Sequence, residues 1–582
     1  MNKRLLSIAA IVVLIAMLAG CAGTPATTTT TTAPAANATA TTSGSAATAP
    51  PVASVEQTGA DAYDGPDADI VTPAGEYPIA TEVVSLNIAM PSNAKISDYD
   101  NNDLTNYFED KLGIEIVWNL LPSTAADAKS KIKLMFASDD LPDVFMGGQI
   151  SDADIMDYAD QGMLVPLDPY IEAFGEYIFD MWDTAADKKL KAIMTSPDGH
   201  IYSLPKYSEQ YVNYYNMRCY LYTPFMENLG LEPATTTDEF KQLLIRFKED
   251  DPNGNGEADE IAFIGHTNNL QWFQFLANPF VYWNNSNFLV VNDGVVDAAY
   301  TSDAFKDCLL YLRDLYVEGL INPLTFTQTE AELKTIMNQE THIVASFAQY
   351  TRTGVMDTAS ELGESWTAQP PLTGPDGVCW STINPITAQH NFQITYKCKT
   401  PAVAYRFGDY MLSNEATMFS RYGVEGRDWE YVDPSSGKIG FDGEPAKTEY
   451  IGTTVWSRTS QNVHWQWPNP GFMAYGTNEG WVWDGDPNNY EYFQLNYGLT
   501  YNVGKQPEEM VPGQLVMTAE ELDTYGLYNT QIQDYVKQSI AKFVVGDLDI
   551  NAGWDAYLAE FDKLGLTEYL AAVQSCYTRM MG

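Results

Sequence analysis

Hydrophobic residues fall into three regimes along this chain. Residues 5–18 (LLSIAAIVVLIAML) are almost wholly apolar, residues 22–75 contain almost no large aliphatic side chain, and from Tyr77 onward apolar and polar positions alternate with recognisable periods. Residues 83–90 (VVSLNIAM) predict a strand. Asn101 to Leu112 predicts an amphipathic helix with Leu104, Tyr107, Phe108 and Leu112 on one face, ended by Gly113. Residues 114–118 (IEIVW) alternate as a second strand, 124–136 predict a helix, and 141–146 (LPDVFM) a third strand. A β-α-β-α-β order predicts helices packed on a largely parallel sheet, so the fold class is α/β. Further on, Thr236 and Glu239 form a capping box that opens a helix carrying Phe240, Leu243, Leu244 and Phe247. Residues 531–543 predict another helix. Asn551 is placed to cap the next, which turns Trp554, Tyr557, Leu558 and Phe561 inward and stops at Gly565.

The first apolar run follows Lys3 and Arg4 and ends in Leu18-Ala19-Gly20-Cys21. A positive start, a short apolar stretch and small residues before a cysteine make a secretory signal rather than a membrane span. The ending resembles the lipobox of bacterial lipoproteins, which implies cleavage at residue 21, lipidation of Cys21 and an anchor at the outer face of the cell membrane. Residues 22–75, rich in Thr, Ala and Pro, read as a disordered tether, leaving residues 76–582 as the folded body.

Composition narrows the function. The 582 residues carry a formal net charge of −45, which repels phosphate backbones and excludes nucleic acid as a partner. Beyond Cys21 there are five cysteines (Cys219, Cys308, Cys379, Cys398, Cys576) without a CxxC pair; a Cys379–Cys398 bridge is open on spacing alone. No GxSxG, HExxH or P-loop occurs, and the five histidines lack metal-ligand spacing. The 77 acidic residues leave room for a glycosidase pair of carboxylates, so a lipoprotein glycoside hydrolase is the enzyme alternative.

Several segments, in order, resemble the large extracellular solute-binding lipoproteins of carbohydrate ABC importers: ASDDLPDVFM (137–146), QGMLVPLDPYIE (161–172), DGHIYSLP (198–205), the block from Tyr222 to Ile264, YGVEGRDWEY (422–431) and AKFVVGDLDINAGWDAYLAEFDKLGL (541–566). The resemblance implies two α/β lobes, discontinuous in sequence and joined by hinge strands, that close on a solute in a cleft. It further implies delivery to ABC permease subunits in the membrane, with no bond made or broken. A monomer is the expected state. A carbohydrate is the expected solute, and an oligopeptide is the alternative.

Asp251-Pro-Asn253-Gly-Asn255-Gly256-Glu257-Ala-Asp259-Glu260 sets oxygen-bearing residues at alternate positions around glycines, the arrangement a hard cation such as Ca²⁺ needs. Asp251, Asn253 and Asn255 would offer side chains and Glu257 its carbonyl, with Asp259 direct or through water. The twelfth position is Ala262 rather than a bidentate glutamate, and the family resemblance favours Glu260 in its place. Because IAFIG follows as an extended run, the expected ion is structural.

A sugar site wants flat aromatic platforms and planar polar groups. The chain has 13 Trp and 36 Tyr. Candidate ligand contacts are Trp272, Trp283 and Asn284 after the calcium loop, and Trp456, Trp465 and Trp467 in WSRTSQNVHWQWPNP. Tyr350 and Arg352 follow the apolar run IVASF, and Asp140 and Asp143 flank the third predicted strand.

Overall fold

In the computed structural model, Ile88 sits between Trp118 of one parallel neighbour and Val144 of another. The structure describes residues 63–581 except 187, 188, 359, 385, 487 and 488. The signal, Cys21 and most of the tether lie outside the described residues.

The predicted opening elements are present: strand Val84–Pro91, helix Asp103–Leu112, strand Ile114–Leu121, helix Ala125–Ser138 and strand Val144–Met146. Alternation explains the strand, because Leu86, Ile88 and Met90 share one fully buried face with Leu104, Phe108 and Leu112 of the first helix. Asn102 caps that helix by accepting from Leu104 N, and Gly113 ends it at φ 68°. A Cβ at Gly113 would stand 2.6 Å from Pro78 Cβ, so the stop requires glycine twice over.

The full first-lobe sheet has six strands in the order Gly471–Met473, Leu204–Ser208, Gln389–Ile394, Val144–Met146, Val84–Pro91, Ile114–Leu121. Five run in one direction. Gln389–Ile394 is antiparallel to both its neighbours, a strand inserted from far along the chain. The second lobe departs from the parallel expectation: its three-stranded sheet places Cys219–Tyr222 antiparallel between Ser346–Ala348 and Trp366–Gln369. The IAFIG run is extended beside it, forming parallel bridges at Ile261, Phe263 and Ile264 in place of a continuous ladder.

Two separate apolar cores define the lobes. One gathers Ile88, Phe108, Tyr207, Phe392 and Phe407; the other gathers Met217, Phe240, Phe263, Leu309, Trp554 and Tyr577. The chain passes from the first to the second between Tyr207 and Met217, returns between Leu372 and Ala388, and passes over again between Met473 and Val511. Each lobe is therefore built from non-contiguous sequence.

Three expectations need correction, and one open pairing is decided. Tyr63 packs edge-on against Phe174 at 5.2 Å, and buried Asp67 accepts a hydrogen bond from Val403 N, so residues 63–75 belong to the folded body. The helix expected over 531–543 runs Ala519–Val545; its first half is polar and hides the period, while Thr518 and Glu521 supply a capping box. Asp549, not Asn551, caps the helix Ile550–Lys563. All five described cysteines are free, so Cys379 and Cys398 do not pair.

Candidate functional site

Because five first-lobe strands are parallel, their carboxyl ends share one edge, the place where open α/β sheets bind ligands. Strand Val144–Met146 ends there in Gly147 and Gly148, both at positive φ, followed by Gln149, whose Nε2 donates to Gly147 O while its buried Oε1 has no partner. Strand Leu204–Ser208 ends in Glu209, and strand Gly471–Met473 in Ala474 and Tyr475. The Glu209 carboxylate accepts from Ala186 N at 2.6 Å and Tyr475 N at 3.3 Å, tying those two strand ends together. Buried Glu479 accepts from Tyr211 N and Gly476 N, fixing the next turn of chain beside them.

A cavity of about 1760 Å³ opens at this edge. Tyr207 and Tyr475 line it from the first lobe, Tyr211, Tyr214 and Tyr215 from the segment that crosses between the lobes, and Tyr282, Asn284 and Asn287 from the second. Tyr211 meets Tyr475 edge-on at 4.3 Å and stacks on Tyr215 at 5.4 Å. Burial pushes the Tyr215 hydroxyl up to about 12, and burial also raises Tyr475, so both remain neutral donors. Rings with neutral hydroxyls beside amides and a carboxylate can hold a ligand that is apolar on its faces and polar at its rim.

The second lobe presents a matching edge. The bridge between Ile264 and Phe347 is parallel, so His266 and Gln349 lie at coincident strand ends. Gln349 Nε2 donates to Glu330 Oε1 at 2.5 Å, while Gln349 Oε1 and His266 Nε2 are buried without partners. Burial lowers the His266 pKa and keeps the ring neutral. The Tyr350 hydroxyl donates to Asn213 Oδ1, and buried Arg218 donates to the carbonyls of Tyr350 and Val212, which locks this edge to the first crossing between lobes.

The structure separates the residues nominated from sequence. Asn284 lines the cavity, and Tyr350 sits at the crossing. Trp272, Trp283, Trp465 and Trp467 are buried in cores. Trp283, 0% exposed, stacks on Phe288 at 4.6 Å and Phe305 at 5.4 Å, so neither face is open to a ligand. Trp465 packs against Trp118 at 4.9 Å and donates to Thr105 Oγ1. Arg352 is fully buried against Phe493, its guanidinium 4.5 Å from the ring. Trp456 is half-buried beneath Arg421. Asp143 accepts from Asn87 N, and Asp140 is exposed; both precede Val144 and so lie at the amino end of that strand, away from the carboxyl edge. Sequence reasoning missed the tyrosines. Their signal was density, YSEQYVNYYNMRCY over 207–220, without a period to mark it.

The oxygen-rich loop over 251–260 follows helix Thr237–Glu249 and precedes the run to Ile264, at the opposite end of that run from His266. Asp251 accepts from Asn255 N and Gly256 N, Asn253 Nδ2 and Asn255 Nδ2 donate to Asp259, and Asn255 Oδ1 accepts from Glu257 N. No cluster of three or more His, Cys, Asp or Glu at metal spacing occurs among the described residues. Both Glu260 carboxylate oxygens are buried without a hydrogen bond, and their pKa is raised by burial, with Asp259 and Asp251 adding to it. An orphaned carboxylate beside two others fits a divalent cation.

The model of the family described as bacterial extracellular solute-binding protein matches residues 91–418. FusA of Streptococcus pneumoniae, a fructooligosaccharide ABC transporter substrate-binding protein, is 27% identical over 507 residues, spanning 84% of this chain and 89% of its own. The solved structure of FusA with kestose superposes with a TM-score of 0.69 at 25% identity, covering 85% of this chain and 99% of that one. A FusA EF-hand mutant with fructo-nystose gives 0.68 at 26%, with the same coverage. Membership follows from the match over more than half the chain together with the two-lobed architecture: the protein belongs to the bacterial extracellular solute-binding proteins, which bind and deliver rather than catalyse.

Proposed function

We propose that this chain is the receptor of an ABC importer, that it captures an oligosaccharide between its lobes, and that it presents the unchanged sugar to permease subunits. The tyrosine-lined cavity reached from both lobes carries this reading. Pyranose and furanose rings offer C–H faces to aromatic rings and hydroxyl rims to Asn284, Asn287 and Glu209. A volume of about 1760 Å³ exceeds what one sugar ring needs, which favours a short chain. Contacts from both lobes stabilise the closed form, and the ligand shifts the population by its preference for that form. The likeness to FusA suggests fructose-rich oligosaccharides as the first probes.

Titration calorimetry with kestose, fructo-nystose, malto-oligosaccharides and short peptides tests this. Saturable binding of a saccharide, recovered intact by chromatography, is the expected result. Binding of peptides alone, or cleavage of the glycan, overturns it.

We infer also that Asp251, Asn253, Asn255, Asp259, Glu260 and the Glu257 carbonyl hold Ca²⁺. The ion would neutralise the crowded carboxylates and brace the loop at the amino end of the run to Ile264, without touching the sugar. Anchoring through Cys21, and function as a monomer, complete the reading. Globomycin-sensitive processing with acylation lost in Cys21→Ala, and sedimentation of the soluble body at monomer mass, are the respective tests.

A further inference from the structure

A second recess, of about 50 Å³, lies where the lobes meet beside the tyrosine cavity. The first lobe lines it with Asp152, Ile155 and His390, the second with Leu515, Met517 and Leu522. Helix Asp152–Asp160 packs here against helix Ala519–Val545. Gln514 lines both spaces, and it follows Val511, where the chain has just entered the second lobe for the last time. Its side chain reaches back across the boundary. Gln514 Oε1 accepts from Ala388 N at 3.0 Å, and Gln514 Nε2 lies 3.4 Å from His390 Nε2. Ala388 belongs to the first-lobe core, and His390 to the first-lobe strand Gln389–Ile394.

Chemistry fixes the sense of these bonds. A backbone N–H only donates, so Ala388 holds the Gln514 amide oxygen and leaves the amide nitrogen facing the ring. That nitrogen also only donates, so His390 Nε2 accepts and the ring proton sits on Nδ1. Asp152 Oδ1 stands 3.5 Å from the same Nε2. A proton on Nε2 would engage Asp152 within the first lobe and set two donors face to face across the boundary. The ring is held neutral: its side chain is 14% exposed, and burial lowers its pKa from 6.5 while Asp152 opposes that shift. Asp152 is the charged neighbour from the helix packed against it. The second lobe turns Leu515, Val516, Met517 and Leu522 toward the recess, with Glu521 taken by Arg579, and the adjacent strand Leu204–Ser208 places Pro205 beside His390.

We propose that Gln514 and His390 are positioning residues that latch the lobes together over the ligand: in the closed form the amide grips the first lobe at Ala388 N and His390 Nε2, and this grip sets how long the sugar stays bound. The inference rests on the carbohydrate-receptor reading above and adds to it a contact made between the lobes rather than to the sugar. Neither His390 nor Asp152 lines the tyrosine cavity, so their effect on the ligand passes through closure. Association begins on the open form, before the latch exists, whereas dissociation has to break it, so the latch acts on the dissociation rate. Because the latched ring carries no proton on Nε2, the latch is complete above pH 6.5 and weakens as pH falls below that value.

Stopped-flow tryptophan fluorescence with kestose reads both rates in the wild type, His390→Leu, His390→Gln, Gln514→Ala and the double variant His390→Leu/Gln514→Ala, each with its melting temperature. His390→Leu is expected to speed dissociation on the order of fivefold with association unchanged, the effect of losing one hydrogen bond. His390→Gln keeps an acceptor and does not titrate. It should hold the wild-type rate at neutral pH and stay flat from about pH 7 to about pH 5, where release from the wild type quickens. The double variant should release the sugar no faster than Gln514→Ala alone, because the same contact is broken either way. Wild-type release in His390→Leu, additive losses in the double variant, or a wild-type pH dependence in His390→Gln overturns the latch and leaves the receptor standing. A wild type that binds neither kestose nor any other saccharide overturns the receptor reading and the latch together.

Discussion

The Tyr350 hydroxyl stands 2.5 Å from Asn213 Oδ1, binding the end of a second-lobe strand to the segment that crosses between the lobes. The same segment carries Tyr211, Tyr214 and Tyr215 into the cavity. Tyr350→Phe is expected to cost about 1 kcal/mol of stability. It should also weaken saccharide binding several-fold, because the tyrosines lose a fixed support. Chemical denaturation and calorimetry on the same sample check the two effects.

Calcium should stabilise the second lobe. Adding Ca²⁺ to chelator-treated protein is expected to raise the melting temperature, with a gain that grows with free ion as mass action requires. Glu260→Gln should abolish most of that gain, since it removes the carboxylate that is otherwise buried without a partner. Sugar affinity at saturating Ca²⁺ should change little in the variant, because the loop and His266 lie at opposite ends of the run to Ile264.

His464 gives the protein an acid limb. Burial, with Arg421 adding, pushes its pKa down to about 3, from an ordinary value of 6.5. The native state therefore excludes a proton that the unfolded chain accepts. The associated stability is complete above pH 6.5 and is lost as pH falls toward 3. His464→Gln should flatten the fall in unfolding free energy across that window by about 1.4 kcal/mol per pH unit. Urea denaturation at a series of pH values reads the slope.

Stability and binding should separate cleanly between two aromatics. Trp283→Ala empties a site packed by Phe273, Phe288 and Phe305 and should cost about 3–5 kcal/mol. Tyr475→Ala removes a ring that is 52% exposed at the cavity and should spare the melting temperature while reducing affinity.

Asp67→Ala should lower stability by about 0.5–2 kcal/mol, because its carboxylate accepts from Val403 N in the first turn of helix Pro401–Tyr410. Thermal melts of the variant, and of a chain begun at residue 76, check whether the segment from Tyr63 is part of the fold.

Much of the architecture was readable because it is local. Leu86, Ile88 and Met90 alternate, Leu104, Phe108 and Leu112 recur at helical spacing, and Gly113 stops the helix; each depends on neighbours within a turn or two. The same reasoning fell short at Ala519–Val545, whose first half is polar, and at Asp67, which looks like tether until its distant partner is known. The oxygen-rich loop over 251–260 could be nominated as an ion site from sequence for the same reason, since its oxygen donors lie within ten residues.

The cleft was not local. A tryptophan that fills a core and one left half-buried are chosen by the same hydrophobic physics, so Trp283 and Trp456 looked alike in sequence and differ only in what surrounds them. By itself the sequence determined the periods, most of the caps and the family likeness, since these are set by residues close along the chain. Only the tertiary structure decided which strand was inserted antiparallel, which rings were left uncovered and which polar atoms were left unmet, because burial is a property of the assembled chain and not of any segment within it.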